Sequence, residues 1–348
     1  MGASDVGLEA VEKIFQTLQV DEEWAIRRPR GFTWWAYGLA QHVDAGEPWQ
    51  DDEFQLSKIR IVTELVKSVD SKRQPEQIAA VANMQGILSS KVFDPATSTI
   101  FECCAAIVHQ ENVGSLTNLL ATAAIIQNDA ANREAAVLAE AVGGVSAASV
   151  HPTSGKRETP DGILGVPEQV IIPAGRDRSA FAGELCAELK EFFAETQFLG
   201  FGDSEGFTCE VPFTGSTPVA LKVALGMPEA NKRPETSLVR IFADQEHPTY
   251  GHGARVTLFI PMAFAAGQAG HVANQLNMAE ATGNTRTNFL GTWCPDPTNP
   301  KSNTIAFNTF LPSRLAGPGI LENQVVFQAA RSRTLGATGF GVLPEQLR

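Results

Sequence analysis

The densest group of metal-ligating side chains in this sequence is Asp244, Glu246, His247 and His252, inside the run Asp-Gln-Glu-His-Pro-Thr-Tyr-Gly-His-Gly. Imidazole and carboxylate donors so close together can hold zinc or another divalent cation. Pro248, Gly251 and Gly253 mark the same run as a turn, where donors are common and exposed. A structural zinc site takes four ligands, and no thiolate lies nearby. The four are therefore weak metal candidates, and no cofactor is expected. Cys103-Cys104 followed by His109 has the residue types of a thiolate nucleophile and its base. Strand neighbours face opposite ways, so only one of the two thiols could share a face with a given partner. Free cysteine is usually a small buried hydrophobe, and activation needs an electropositive pocket that nothing in the sequence specifies.

The stretch Gly200–Gly206 has the glycine density of a phosphate loop. It follows a predicted helix and precedes a predicted strand, the reverse of a dinucleotide loop, and Asp203 and Glu205 would repel phosphate. None of G-x-x-x-x-G-K-[ST], G-x-S-x-G or H-E-x-x-H occurs, and His109-Gln110-Glu111 lacks the P-C-x-x-C partner of a deaminase. No catalytic residue is expected. The aromatic run Phe32, Trp34, Trp35, Tyr37 is the strongest recognition candidate. On a regular strand Phe32 and Trp34 share one face, and Trp35 and Tyr37 the other. One face must be core; the other could anchor a partner, with Arg27, Arg28 and Arg30 close by to meet acidic groups. Candidate binding residues are Trp34, Trp35, Tyr37 and Arg30.

What must position these residues is a chain of 348 residues, long enough for two domains, with 43% hydrophobic and 19% charged residues. A net charge of −12 disfavours general binding to nucleic acid or to anionic membrane surfaces. The five cysteines are scattered and odd in number, which points to reduced thiols and a cytoplasmic location. Met1–Val20 carries Asp5, Glu9 and Glu12 without a continuous apolar core, so it does not read as a signal peptide, and no window is apolar enough to span a bilayer.

Helical spacing of Leu8, Val11, Ile14, Phe15 and Leu18 predicts a helix over 6–19. Strands are predicted in 55–69 and 99–108. A helix opens at Pro75 and runs to about Leu88, and another spans 115–142 with Ser115 as N-cap and Gly143-Gly144 as stop. Residues 146–177, rich in Ser, Pro and Gly, read as a linker, with one short strand at 169–172. The pattern then returns: a helix around Leu185–Phe193, strands at 207–213, 220–225, 237–242 and 255–261, a helix at 266–281, strands at 285–293 and 304–311, and a last helix at 319–334.

Short matches in the same order support an internal duplication. Gly31-Phe32-Thr33 corresponds to Gly206-Phe207-Thr208, Val81-Ala82-Asn83 to Val272-Ala273-Asn274, and Asp94-Pro95…Thr99-Ile100 to Asp296-Pro297…Thr304-Ile305. The expected fold is α+β in two related halves, 1–145 and 178–348, each an antiparallel sheet packed by helices in the order helix, strands, helix, two strands, helix.

That order, the run Arg255–Pro261 ending in proline, the Gly270–Asn277 helix and the Trp293-bearing strand resemble the type III secretion chaperone-like fold, including its YbjN-like branch, here occurring twice. The resemblance implies binding of polypeptide segments along helix and sheet surfaces, as a homodimer or as a monomeric pseudo-dimer. It carries no catalytic residues. The leading expectation is a non-enzymatic polypeptide-binding or scaffold protein. The alternative is an enzyme or small-molecule-binding protein using a cleft between the halves, with His247, His252 or Cys294 as candidates.

Overall fold

The computed structural model describes residues 5–176, 179–194, 199–213, 236–283, 285–317 and 319–342. The chain forms two compact units. The first comprises Met1–Ala79, Leu88–Val170 and Asn288–Leu290, and the second Ala80–Ile87, Ile171–Thr287 and Gly291–Arg348.

The first unit opens with α1 (Val6–Thr17), capped by the Asp5 carboxylate, which accepts from the Gly7 and Leu8 amides. Val6, Ala10, Val11, Ile14 and Phe15 form its buried stripe. Strands β1 (Ala25–Arg28), β2 (Gly31–Trp34) and β3 (Gln41–Ala45) lead into a short β4 (Trp49–Asp51) and a long β5 (Phe54–Lys67). Helix α2 (Pro75–Asn83), which passes into the second unit at Ala80, is followed by the hairpin β6 (Ser90–Asp94) and β7 (Thr99–Val108), helix α3 (Val113–Val142) and the short β8 (Val145–Ser146), which complete the first unit. The sheet order is β1-β2-β3-β5-β7-β6, with β4 and β8 also pairing β5. Alanines let α3 lie close to the sheet, where Ala131, Ala135, Leu138, Ala139 and Val142 pack with Leu39, Leu65, Val66, Phe93 and Ile100. Helix α3 starts at Val113 after Asn112, so Ser115 is not its cap, whereas Gly143 ends it in the left-handed conformation as expected.

The second unit contains α4 (Ser179–Ala194), β9 (Leu199–Gly202), β10 (Gly206–Pro212), β11 (Thr236–His247), β12 (Gly251–Ala263), α5 (Ala269–Thr282), β13 (Thr292–Pro295), β14 (Thr304–Pro312) and α6 (Ile320–Thr338). Its sheet order is β9-β10-β11-β12-β14-β13. With β4 and β8 set aside, the two sheets have the same order: a four-stranded meander, then a hairpin whose second strand returns beside the fourth. The fold is therefore α+β in two halves of one topology.

The repeated tripeptides acquire physical reasons. Gly31 and Gly206 both open the second strand of a meander, and a Cβ at either would run into the carbonyl oxygen of the neighbouring strand, that of Val43 or of Ile241. In both hairpins an aspartate closes the turn: Asp94 accepts from the Ala96 amide at 2.9 Å, and Asp296 from the Thr298 amide at 2.8 Å. The Val-Ala-Asn match aligns by element only, since Val81–Asn83 ends α2 while Val272–Asn274 lies in the first half of α5.

Several boundaries differ from the sequence reading. Strands β3, β4, β6, β8 and β9 were not expected. Helix α2 stops at Asn83 rather than near Leu88. The segment 167–174 is helical, not a strand. The expected strand at 285–293 is reduced to Phe289, which bridges Ala105 within the first unit, and to the first residues of β13. The expected strand at 220–225 lies outside the described residues. The segment expected to be a linker, 146–177, belongs to the first unit as far as Val170. Its backbone is bound rather than free: Ala147 N donates to Leu65 O, Ser149 N to Gly38 O and Asp161 N to Ala36 O. Polar, proline-rich composition left 147–161 without a regular element but not without ordered packing. Among the described residues no helix is long and apolar enough to cross a membrane.

Candidate functional site

The aromatic run folds inward. Phe32 and Trp34 are fully buried and Trp35 is 6% exposed, so of the four aromatic rings only Tyr37 reaches the surface appreciably. Strand β2 ends at Trp34, so the alternation expected to point Trp35 and Tyr37 outward does not extend to them. The Trp34 indole donates to Gln41 Oε1 at 3.0 Å, and the Gln41 amide donates on to Gln127 Oε1 at 2.8 Å. The Trp35 indole donates to Ser149 Oγ at 3.0 Å, and its ring meets His151 edge-on. The 146–170 segment covers Trp35, with Arg157 donating to its carbonyl. Trp34 and Trp35 are thus core residues, a correction to their reading as surface anchors.

The arginines beside them are committed to the same unit. Arg30 donates to Asp5 Oδ2 at 2.7 Å and to the Gly46 carbonyl, tying the α1 cap to β3. The hydrogen bond from Arg30 holds the Asp5 carboxyl below its usual range against the opposing effect of partial burial, with the Leu8 and Gly7 amides assisting. Arg28 pairs with Asp44, and Arg27 lies over the Phe15 ring while pairing with Glu12. Arg30 is a structural clamp in this arrangement.

The Asp244–His252 segment forms the β11–β12 turn. His247 Nδ1 accepts from the amides of Thr249 and Tyr250, so Nε2 carries the proton and donates to the Gln85 carbonyl at 2.9 Å. Both nitrogens of His247 are committed to holding the turn. His252 Nδ1 lies 2.6 Å from Asp244 Oδ1, and Glu246 sits opposite His252 in the strand register. Among the described residues no three of His, Cys, Asp and Glu gather as a metal-ligating set.

The thiols are poor nucleophiles. Cys103 and Cys104 are fully buried on opposite faces of β7; burial pushes the Cys103 pKa up to about 12 and that of Cys104 well above its ordinary value. Burial likewise raises Cys209 to about 12 and lifts Cys294 and Cys186. The Gly200–Gly206 stretch is β9 and a turn in which Asp203 accepts from the Glu205 and Gly206 amides, so those backbone donors are already used.

One open concave feature lies in the first unit and was not expected. An open hollow of about 780 Å³ is lined by Asp51, Asp52, Glu53, Phe54, Leu56 and His109. It is built by the tight β4–β5 hairpin, in which Asp51 pairs with Phe54 and Asp52 takes a left-handed conformation that aspartate tolerates. His109 is placed at the end of β7, where its backbone amide donates to Asn112 Oδ1 and its ring meets that of Phe54 at 5.0 Å. Asp51, Asp52 and Glu53 are exposed, and neither Asp52 nor Glu53 makes a salt bridge among the described residues. The arrangement offers negative potential beside an aromatic and an aliphatic side chain. It can hold a cation attached to an apolar stem, and it contains no nucleophile. The signal in the sequence was the acidic triplet 51–53 between Trp49 and Phe54; His109 could not have been linked to it without the β5–β7 pairing.

No protein-family model, no curated protein and no solved structure matches this chain.

Proposed function

We propose that this chain is a non-enzymatic binding protein for polypeptide segments bearing basic residues, held at the Asp51–Phe54 turn of the first unit. The observation carrying this reading is the open hollow whose rim carboxylates Asp52 and Glu53 have no cationic partner of their own among the described residues, beside Phe54, Leu56 and His109. A Lys or Arg side chain matches both halves of that surface, its alkyl stem against the rings and its charge against the carboxylates. The net charge of −12 attracts basic segments at long range. The buried, protonated thiols and the engaged His247 speak against covalent chemistry at the residues considered for it. The likeness to chaperone-like proteins in the order of elements agrees with this reading.

Titration calorimetry with a Lys/Leu-alternating peptide and its Glu/Leu counterpart tests it. The basic peptide binds and the acidic one does not. Asp52→Asn with Glu53→Gln weakens binding by roughly five- to thirty-fold, at about 0.5–1 kcal/mol for each rim charge. The loss shrinks with added salt, as the screening length falls from about 8 Å at 0.15 M to about 3 Å at 1 M. Equal binding of the two peptides, or no loss in the double variant, would refute the proposal.

A further inference from the structure

Among the described residues, the sheet of the second unit carries a cation without a counter-ion. Arg255 lies in β12 opposite Phe242 of β11 and Phe310 of β14, so the three side chains share the sheet face turned away from Val256 and Leu258. Two residues along, Thr257 stands opposite Asn308, which stands opposite Thr292, placing these on the same face. Asn308 is a diagonal neighbour of Arg255, within reach of a long side chain.

Arg255 is half-buried, and its Nε is shut off from solvent with no hydrogen-bond acceptor among the described residues. Burial lowers its pKa, and no nearby carboxylate offsets that effect. Two acids of the same unit are engaged elsewhere: Asp203 pairs with Arg240 at 2.8 Å, and Asp244 with His252. Asn308 is fully buried; its Oδ1 accepts from Thr257 Oγ1 at 3.2 Å, while its Nδ2 has no partner. Two buried donors on one face, one of them cationic, therefore lack an acceptor. Buried donors are rarely left this way, because each forfeits the hydrogen bond it had with water, and an unpaired cation forfeits more. Arginine is also the side chain best shaped to take an oxyanion through two N–H groups at once.

We propose that Arg255 and Asn308 form a subsite for an oxyanion, a carboxylate or a phosphate, on this face of the second sheet. The ligand oxygen accepts from the Arg255 guanidinium and from Asn308 Nδ2, with Phe242 and Phe310 flanking the arginine. The subsite stands apart from the acidic hollow of the first unit and has the opposite ligand preference, so either can fail without the other.

The test is calorimetry and thermal unfolding of the full chain with inorganic phosphate, with acetate and with chloride at matched ionic strength. Phosphate or acetate, or both, binds with a measurable heat where chloride gives none; whichever is tighter identifies the ligand class. Because phosphate strengthens burial in any protein, the comparison that counts is with variants. Arg255→Gln lowers affinity at least ten-fold and abolishes the difference between oxyanion and chloride. Arg255→Lys retains charge but not the fork, and falls between the two. Asn308→Ala weakens binding without removing it. Arg240→Gln, altering an arginine already paired with Asp203, leaves binding unchanged and controls for loss of charge on the same face. Should Arg255→Gln fold poorly, Arg255→Lys and Asn308→Ala still decide. Equal stabilisation by all three anions in the native chain, or undiminished binding in Arg255→Lys and Asn308→Ala together, would overturn the proposal and leave the two donors to bound water.

Discussion

Glu280 and Arg331 make the heaviest demand on the second unit. Both side chains are fully buried, in α5 and α6 respectively. The Glu280 carboxylate accepts from Arg331 Nε at 2.9 Å and Nη2 at 2.9 Å, from the Trp293 indole at 2.7 Å and from the Thr287 hydroxyl at 2.9 Å. Arg331 also donates to Gln328 Oε1 and lies 3.5 Å over the Phe307 ring. Replacing Glu280 by Gln keeps the shape and one carbonyl acceptor, but removes the negative charge and puts an amide donor among donors. A buried cation left without its partner costs about 3–5 kcal/mol. With a urea m-value of about 1–3 kcal/mol/M, the midpoint for the second unit should fall by roughly 1 M or more. Urea unfolding followed by circular dichroism and tryptophan fluorescence reads this directly. The double variant Glu280→Leu with Arg331→Met removes both charges and should lose much less than the sum of the single variants, because the main cost is the orphaned charge rather than the missing pair. A loss below about 1 kcal/mol for Glu280→Gln, or strict additivity in the double variant, would refute this reasoning.

Asp5→Asn should keep the cap of α1 but lose the Arg30 ion pair, costing about 0.5–1 kcal/mol at neutral pH. Because the native carboxyl pKa is depressed, that contribution is intact above about pH 4 and is lost as pH falls through the native value, so urea midpoints of the two proteins should converge at low pH. Gly31→Ala and Gly206→Ala should each cost about 1–3 kcal/mol, because backbone must yield to the new Cβ; thermal unfolding showing either variant as stable as the parent would contradict the common strand contact. With iodoacetamide at mild alkaline pH, Cys186 should be alkylated first, while Cys103, Cys104, Cys209 and Cys294 react only in denaturant, as mass spectrometry of the peptides would show.

Much of the architecture was legible because it is local. The stripe of α1, the left-handed stop at Gly143 and the aspartate turns at Asp94 and Asp296 follow from spacing and turn chemistry within a few residues. The Gly-Phe-Thr repeat was visible as a match, while its cause, a carbonyl of the next strand against the glycine, required the register. The short strands β4 and β6 were missed because three to five residues hold too little alternation to separate them from loops. The candidate site was read least well. Trp34, Trp35 and Arg30 have the residue types of a recognition surface, and type alone cannot tell an anchor from a core residue.

By itself, then, the chain determined a doubled helix-and-strand order, an acidic surface charge and the absence of familiar catalytic motifs, since each depends on composition or on neighbours along the backbone. Tertiary structure decided which side chains are buried and which partners they meet. It covered Trp35 with residues 146–170, joined Glu280 to Arg331 across 51 positions, left Arg255 without an acid among the described residues and brought His109 beside Phe54. Burial and pairing arise from strand register and helix packing, which link positions far apart in sequence, and no local pattern encodes them.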